Sequence, residues 1–145
     1  MWQSTWSLLV SKAWWRDEGT REARRKQRPL APLDLRPVQI TDADSLHTNC
    51  WPDREPDWVR FFISGYHRDL IERGRGAVIV AAHKGEAIGL GMLTKWPRVS
   101  EISDLIVAAA YRGRGVGSAI ITRLTDEAML LGIEQLEIGV AQSNP

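Results

Sequence analysis

The segment with the clearest chemical potential is the run Arg-Gly-Arg-Gly-Val-Gly at residues 112–117. It follows an apolar stretch and opens a stretch with helical spacing of apolar residues, which places it between a strand and a helix. A bend there leaves backbone N–H groups pointing outward at the helix N-terminus, where the helix dipole also favours a pyrophosphate. Glycines let phosphates approach the main chain closely, and Arg112 and Arg114 add positive charge.

The same four residues, Arg-Gly-Arg-Gly, also occur at residues 73–76, where they follow a helical pattern and precede a strand. Glycine in that context ends a helix, so we expect residues 73–76 to be structural. The second copy is not followed by Gly-Lys-Ser/Thr, which excludes a P-loop. It is not a dinucleotide-binding fingerprint either, because counting from Gly113 puts Ser118 where glycine is needed.

The histidines and the single cysteine form no catalytic or metal-binding pattern. His47, His67 and His83 have neither ligand spacing nor a catalytic partner, and we expect them at the surface or in turns. Cys50 is the only cysteine, so it forms no internal disulfide, which suits a reducing, cytoplasmic compartment. The sequence places no base beside Cys50, so we predict neither a thiol nucleophile nor a metal site.

The elements that must position the glycine loop follow the order β-α-α-β-β-β-α-β, an α/β class with a mixed sheet. The first strand starts at Leu33, and two helices follow, the second opening at Pro56. Two strands joined by a turn at residues 83–86 form a hairpin, and a fourth strand precedes the glycine loop. The predicted apolar stripes are Trp58, Phe62, Tyr66 and Leu70 with Phe61 in the second helix, and Val116, Ile120, Leu124, Ala128 and Leu131 in the last helix.

Length and charge set the remaining limits. The chain has 145 residues, room for one domain, and its net charge of +1 argues against a generally basic nucleic-acid binder. Residues 1–30 carry seven basic and three acidic residues, whereas the rest carries twelve and fifteen. We therefore predict a basic, tryptophan-rich extension over residues 1–32 and a working domain over residues 33–145. The extension suits a membrane surface or an acidic partner, and the alternative is a weakly ordered tail.

Residues 104–119 resemble the cofactor motif of the GNAT superfamily, N-acetyltransferases that use acetyl-coenzyme A (acetyl-CoA). The resemblance rests on the pattern Arg-x-x-Gly-x-Gly formed by Arg112, Gly115 and Gly117, and on the apolar strand before it. Asn144, just after the last predicted strand, and the order of elements extend the resemblance over residues 33–145. The resemblance implies a GNAT-like fold and an acyltransferase activity.

The same resemblance implies which residues bind acetyl-CoA. Backbone groups of Leu105, Ile106 and Val107 are expected to pair with the pantetheine arm, and one such N–H to hold the thioester oxygen. Asn144 is expected to contact the cofactor arm. The expected pyrophosphate contacts are Arg112, Gly113, Arg114, Gly115, Val116, Gly117 and Ser118.

Direct transfer of the acetyl group to an amine requires a general base, or a water relay to one, because the amine is protonated at neutral pH. The resemblance favours Glu101 as the catalytic base. It shares strand parity with Leu105 and Val107 unless a β-bulge intervenes. Asp104 is the rival, and Glu137 offers a carboxylate on the fifth strand.

The chain departs from the family at its end. It stops at Pro145, before the family's final helix with its tyrosine and before two further strands, so we expect an incomplete domain. The fifth strand then has an uncovered edge, which invites pairing with a second copy. The alternatives are a coenzyme A-binding module without catalysis, an inactive fragment, and an interaction protein acting through the extension. The sequence does not decide whether the acceptor is a small-molecule amine or a peptide amine. We expect residues 49–55, led by Trp51 and Asp53, to contact it.

Overall fold

The structure, a computed structural model, describes residues 32–139. Their element order confirms the predicted α/β class. The strands are β1 (Asp34–Pro37), β2 (Gly76–His83), β3 (Glu86–Lys95), β4 (Ser100–Val107) and β5 (Leu136–Ile138). The helices are α1 (Ala43–Cys50), α2 (Pro56–Tyr66) and α3 (Val116–Leu130), with 3-10 turns at Ile40–Asp42 and Ala109–Tyr111 and a π-helix at His67–Glu72. Of the predicted extension over residues 1–32, residues 1–31 lie outside the described residues.

The five strands form one mixed sheet in the order β1-β2-β3-β4-β5. Strands β1 to β4 are antiparallel neighbours, and β4 pairs with β5 in parallel. Parallel neighbours need a crossover connection, which α3 supplies here. The glycine loop, which joins β4 to α3, therefore lies at the C-terminal end of β4, the end of a parallel pair where ligands of α/β sheets bind.

Two apolar cores cover the two faces of the sheet. The first lies under α1 and α2, and the second lies under α3. As predicted, α3 buries Val116, Ile120, Leu124 and Ala128, whereas Leu131 stays 38% exposed just past the helix end. Fully buried residues of the first core include Leu46, Val59, Ile63, Val80 and Leu90, and those of the second include Ile79, Leu93, Ile102, Ile120 and Leu124.

The predicted apolar stripe of α2 is wrong for Trp58 and Phe61, whereas Phe62 and Tyr66 are partly buried against the first core. The helix buries Val59 and Ile63 against the sheet, while Phe61 is 79% exposed and Trp58 is 38% exposed. Compact aliphatic side chains fit between the helix and the sheet, and the rings of Trp58, Phe62 and Tyr66 pack on one another along the flank of the helix. Leu70 is buried as predicted, but from the π-helix that follows α2.

No helix among residues 32–139 is long and apolar enough to cross a membrane.

Candidate active site

The glycine loop has the geometry of a phosphate cradle. Gly113 has a φ of 74° and Gly115 a φ of 84°, values that residues with a side chain rarely adopt. Gly115 is the N-cap of α3, and the first helical backbone bond runs from the Ala119 N–H to the Gly115 carbonyl oxygen at 3.1 Å. The N–H groups of residues 116–118 belong to the first turn and have no partner within the helix. Among the described residues, a Cβ at Gly115 would meet no atom within 4 Å, so the space beside this glycine is open.

The two arginines of the loop are anchored in different ways. Arg112 is exposed, and its Nε donates a hydrogen bond of 3.1 Å to the carbonyl oxygen of Val107 at the end of β4. Arg114 is half-buried, with its guanidinium carbon 5.9 Å from the centroid of the Tyr111 ring. Both positive charges thus stay beside the glycine loop.

A β-bulge interrupts β4 just before the loop. Met92 of β3 is opposite Ser103 and Leu90 is opposite Ile106, so β4 has one residue more than β3 between these pairs. Within the bulge, Asp104 has a φ of 51°, in the left-handed region. The bulge reverses the faces of the side chains that follow it.

The bulge corrects the predicted parity of Glu101. Ile102 packs in the core under α3, so Glu101 projects from the opposite face, toward α1 and α2. Leu105 and Val107 also pack against the core under α3, and they therefore lie on the face opposite Glu101. The predicted shared parity is wrong, because the extra residue of the bulge shifts the alternation by one.

One edge of β4 opens beyond the point where β5 leaves it. The pairing of β4 with β5 covers Ser100 to Ile102, and it ends with a bond of 3.0 Å from the Gly139 N–H to the Ile102 carbonyl oxygen. Among the described residues, no strand pairs with that edge of β4 past Ile102. The edge lies directly before the glycine loop.

Of the three residues predicted to meet the pantetheine arm, two present their peptide groups to the open edge. The Ala108 N–H donates to the Ile88 carbonyl oxygen of β3 at 2.8 Å, so by alternation Ile106 also directs its peptide groups to β3. Leu105 and Val107 therefore direct theirs to the open edge, where Val107 already accepts the bond from Arg112.

The candidate carboxylates occupy two neighbouring places. Glu101 is half-buried and is the register partner of Glu137 on β5, so the two side chains project from the same face. Asp104 is exposed at the bulge. Partial burial raises the pKa of the Tyr66 phenol, and the negative charges of Asp104 and Asp69 raise it further. Tyr66 packs against the first core, on the face of the sheet from which Glu101 projects.

Four aromatic rings line that side of the molecule. Trp58 stacks on Phe62 with centroids 5.1 Å apart, and Tyr66 meets the other edge of Phe62 at 4.8 Å. Trp51, between α1 and α2, contacts both Trp58 and Phe62. Of the two residues predicted to lead the acceptor contact, Trp51 thus belongs to this aromatic wall (Trp51, Trp58, Phe62, Tyr66), and Asp53 is exposed.

Cys50 lies close to the glycine loop, a proximity that no sequence pattern indicated. Its side chain touches both cores at the end of α1. Burial raises the pKa of the Cys50 thiol to about 12, although the charge of Arg112 and a backbone hydrogen bond from Ala108 oppose that rise. A thiol with this pKa is protonated at neutral pH, which agrees with the prediction that Cys50 is not a nucleophile.

The three histidines have different partners. His47 Nε2 is 2.7 Å from the Arg54 carbonyl oxygen, and His67 Nδ1 is 3.4 Å from a carboxylate oxygen of Glu72. His83, at the end of β2, packs against Tyr111. Among residues 32–139, no group of three or more His, Cys, Asp or Glu side chains could hold a metal ion. The predicted contact at Asn144 lies outside the described residues.

Comparison with known sequences identifies the family. A sequence model of the acetyltransferase (GNAT) family matches residues 40–145, so the chain belongs to this family. One curated relative, an uncharacterized N-acetyltransferase of Archaeoglobus fulgidus, is 28% identical over 89 residues, which are 57% of this chain. The chain spans 60% of the length of that relative.

Solved structures share the fold. An N-acetyltransferase from Staphylococcus aureus superposes with a TM-score of 0.61 at 20% identity, over 79% of this chain and 76% of its own. The enzyme AAC(6')-Iy, solved with the bisubstrate analogue CoA-S-monomethyl-acetylneamine, gives a TM-score of 0.62 at 17% identity, over 79% of this chain and 83% of its own. Glucosamine-6-phosphate N-acetyltransferase from Arabidopsis thaliana gives a TM-score of 0.59 at 15% identity, over 77% and 84% of the two chains.

Proposed function

We propose that this protein is an N-acetyltransferase that moves the acetyl group of acetyl-CoA directly to an amine. The observation that carries the proposal is the meeting of two features at the end of β4: a glycine loop that opens the N-terminus of α3, and an open strand edge. The chain's membership of the acetyltransferase family supports this function. The bisubstrate analogue bound to AAC(6')-Iy shows that a protein of this fold accommodates a coenzyme A derivative.

The residues present fit acetyl-CoA in both charge and space. In the proposal, the N–H groups of residues 113–118 and the guanidinium groups of Arg112 and Arg114 hold the pyrophosphate. The open space at Gly115 accepts the phosphates without a side chain in the way. The peptide groups of Leu105 and Val107 bind the pantetheine arm as an added strand would. One of these N–H groups stabilises the negative charge that develops on the thioester oxygen.

We propose Glu101 as the general base. Glu101 and Glu137 place two carboxylates on one face, and their combined charge attracts a protonated amine to the bulged part of β4. Glu101 accepts the ammonium proton, and the neutral nitrogen then attacks the thioester carbonyl. As the carbon–sulfur bond breaks, the second proton of the nitrogen passes to the departing sulfur, which leaves as the coenzyme A thiol. The aromatic wall packs against the core under α1 and α2, on the same side of the sheet as Glu101, and provides apolar surface for the rest of the acceptor.

The test is release of the coenzyme A thiol from acetyl-CoA in the presence of a panel of amines. We expect Glu101→Gln to lower kcat by about 10²- to 10⁴-fold. The Kd of acetyl-CoA should stay unchanged. Asp104→Asn and Glu137→Gln are the matched controls, because each also removes one carboxylate without changing its size. A collapse of kcat in Asp104→Asn with Glu101→Gln active would assign the base to Asp104 instead.

Binding and turnover measured on one preparation separate the enzyme from a coenzyme A-binding module. Tight acetyl-CoA binding without thiol release from any amine would contradict the enzyme. Failure to bind coenzyme A would contradict the proposed use of the glycine loop as well.

Two wider predictions accompany this function. The single cysteine favours a reducing, cytoplasmic compartment, which cell fractionation tests. Among the described residues, β5 pairs only with β4, so we propose that its outer edge pairs with a second copy of the chain. Light scattering at several protein concentrations measures this association, and a monomer at all of them would contradict it.

A further inference from the structure

We infer that Tyr111, packed against His83, is a positioning residue that holds Arg114 at the phosphate site. This inference rests on the proposed function, because it assigns a role toward the phosphates of coenzyme A. The proposed function assigns phosphate binding to the backbone N–H groups and arginines of the loop. The inference adds two side chains, Tyr111 and His83, that support one of these arginines.

The stack joins three side chains from two parts of the chain. The rings of His83 and Tyr111 meet edge to face, with centroids 5.8 Å apart and planes inclined by 64°. The guanidinium carbon of Arg114 lies 5.9 Å from the Tyr111 centroid, within reach of a cation–π interaction. The tip of the β2–β3 hairpin thereby contacts the segment that leads into the glycine loop.

The backbone on both sides of Arg114 gives its side chain little restraint. It stands between Gly113 and Gly115, both in the left-handed region, and glycine fixes the backbone less firmly than other residues. A long side chain on such a backbone loses entropy when it is ordered at a phosphate. Contact with a ring that is itself packed against the core under α3 limits the positions of the guanidinium before the ligand arrives.

His83 acts through its ring. Its Nδ1 atom is buried and has no hydrogen-bond partner in the described part of the chain. A hydrogen bond at Nδ1 therefore does not explain the position of the ring, whereas the contact with Tyr111 does. Because His83 closes β2 beside the hairpin turn, it ties Tyr111 to the rigid sheet.

The test compares two ligands that differ in phosphate. Calorimetry measures the Kd of coenzyme A and of pantetheine, which lacks the phosphates, for the wild type, Tyr111→Phe and Tyr111→Leu. We expect Tyr111→Leu to weaken coenzyme A binding roughly three- to fivefold and to leave pantetheine binding unchanged. Tyr111→Phe keeps the ring and should bind both ligands as the wild type does. An equal loss for both ligands in Tyr111→Leu would overturn the inference.

A double-mutant cycle tests the same contact without relying on one variant. Arg114→Ala should weaken coenzyme A binding more than Tyr111→Leu does, and the double variant should bind no more weakly than Arg114→Ala alone. Fully additive losses would show that Tyr111 does not act through Arg114. His83→Leu should weaken coenzyme A binding about twofold, because it removes the ring. His83→Phe keeps a ring and should bind coenzyme A as the wild type does. A wild type that binds coenzyme A no better than pantetheine would instead contradict the proposed phosphate site itself.

Discussion

The two Arg-Gly-Arg-Gly segments of this protein have the same four residues and opposite surroundings. At residues 73–76 the segment leaves a helix and enters β2, and at residues 112–115 it leaves β4 and enters α3. In the first segment, the Gly74 N–H bonds to the Ile71 carbonyl oxygen and the next N–H bonds to that of Leu70, the pattern of a Schellman helix end. In the second segment, Gly115 begins a helix, and the donors that follow it point away from the helix body.

The space around the last glycine of each segment differs just as sharply. A Cβ at Gly76 would overlap the carbonyl oxygen of Leu93 on the neighbouring strand, whereas a Cβ at Gly115 would meet no atom within 4 Å. Gly76 therefore allows β2 and β3 to pack closely, and Gly115 leaves room for the ligand that we propose to bind at the loop. The direction of the chain through the segment, rather than its residues, separates the structural role of the first segment from the binding role that we propose for the second.

Of the effects that compare the two segments, the largest is expected at Gly76. Gly76→Ala should lower the free energy of unfolding by about 3 kcal/mol, because β2 and β3 must move apart to relieve the overlap with Leu93. Urea denaturation followed by circular dichroism measures the change. Gly65→Ala is the control, since a Cβ there meets nothing within 4 Å and alanine in a helix should stabilise by about 0.5–1 kcal/mol. If Gly76→Ala were as stable as the wild type, the packing role of Gly76 would be contradicted.

The next effect is on binding at Gly115. Gly115→Glu should weaken coenzyme A binding roughly ten- to a hundredfold, because it sets a carboxylate beside the pyrophosphate. Gly115→Gln matches it in size and in backbone strain, so the ratio of the two Kd values measures the charge effect alone. Calorimetry at low salt supplies both values. Equal affinities for the two variants would contradict a phosphate at this loop.

The same substitution in the first segment should leave binding intact. Gly74→Glu places the same charge on a glycine that also has positive φ, 66°, and open space. We expect the Kd of coenzyme A to stay within twofold of the wild type, while the left-handed backbone costs about 1 kcal/mol of stability. A loss of binding as large as that of Gly115→Glu would show that general charge, not position, governs affinity.

The smallest expected loss of coenzyme A affinity is that of an arginine variant in the second segment. Arg112→Ala should weaken coenzyme A binding roughly fivefold, because it removes an exposed positive charge beside the loop and the bond to Val107. Arg75→Ala removes an equally exposed charge from the first segment and should change nothing. Raising the ionic strength should shrink the difference between the two variants, since salt screens exposed charges. A difference that does not change with salt would point to the Val107 bond instead.

Much of the fold followed from local patterns. The unbroken apolar run of β2, the helical spacing in α3 and the glycine that ends it predicted elements that the structure confirms. Gly132 adopts a φ of 71° and ends α3 in a Schellman pattern, as its place after the apolar stripe predicted. These features depend on neighbours in the sequence, so the sequence alone reveals them.

The errors came from long-range packing. The bulge at Asp104 depends on how β4 aligns with β3, and it moved Glu101 to the face opposite Leu105 and Val107. The rotation of α2, which exposes Phe61, depends on the shape of the sheet beneath it. Sequence spacing does not encode either effect.

Contacts between segments that are distant in the chain could not be predicted from the sequence either. Cys50 and His83 each approach the glycine loop from elements far away in the chain. Of the candidate site, the loop donors and the strand before them were predictable, but the surroundings that tune them were not.

The most direct test of the central claim is one nitrogen–proton correlation spectrum, recorded before and after coenzyme A is added. We predict that the amide signals of Gly113, Gly115 and Gly117 shift to saturation while those of Gly74 and Gly76 stay in place. Saturating shifts at Gly74 and Gly76, or none at the second segment in a protein that binds coenzyme A, would contradict the account.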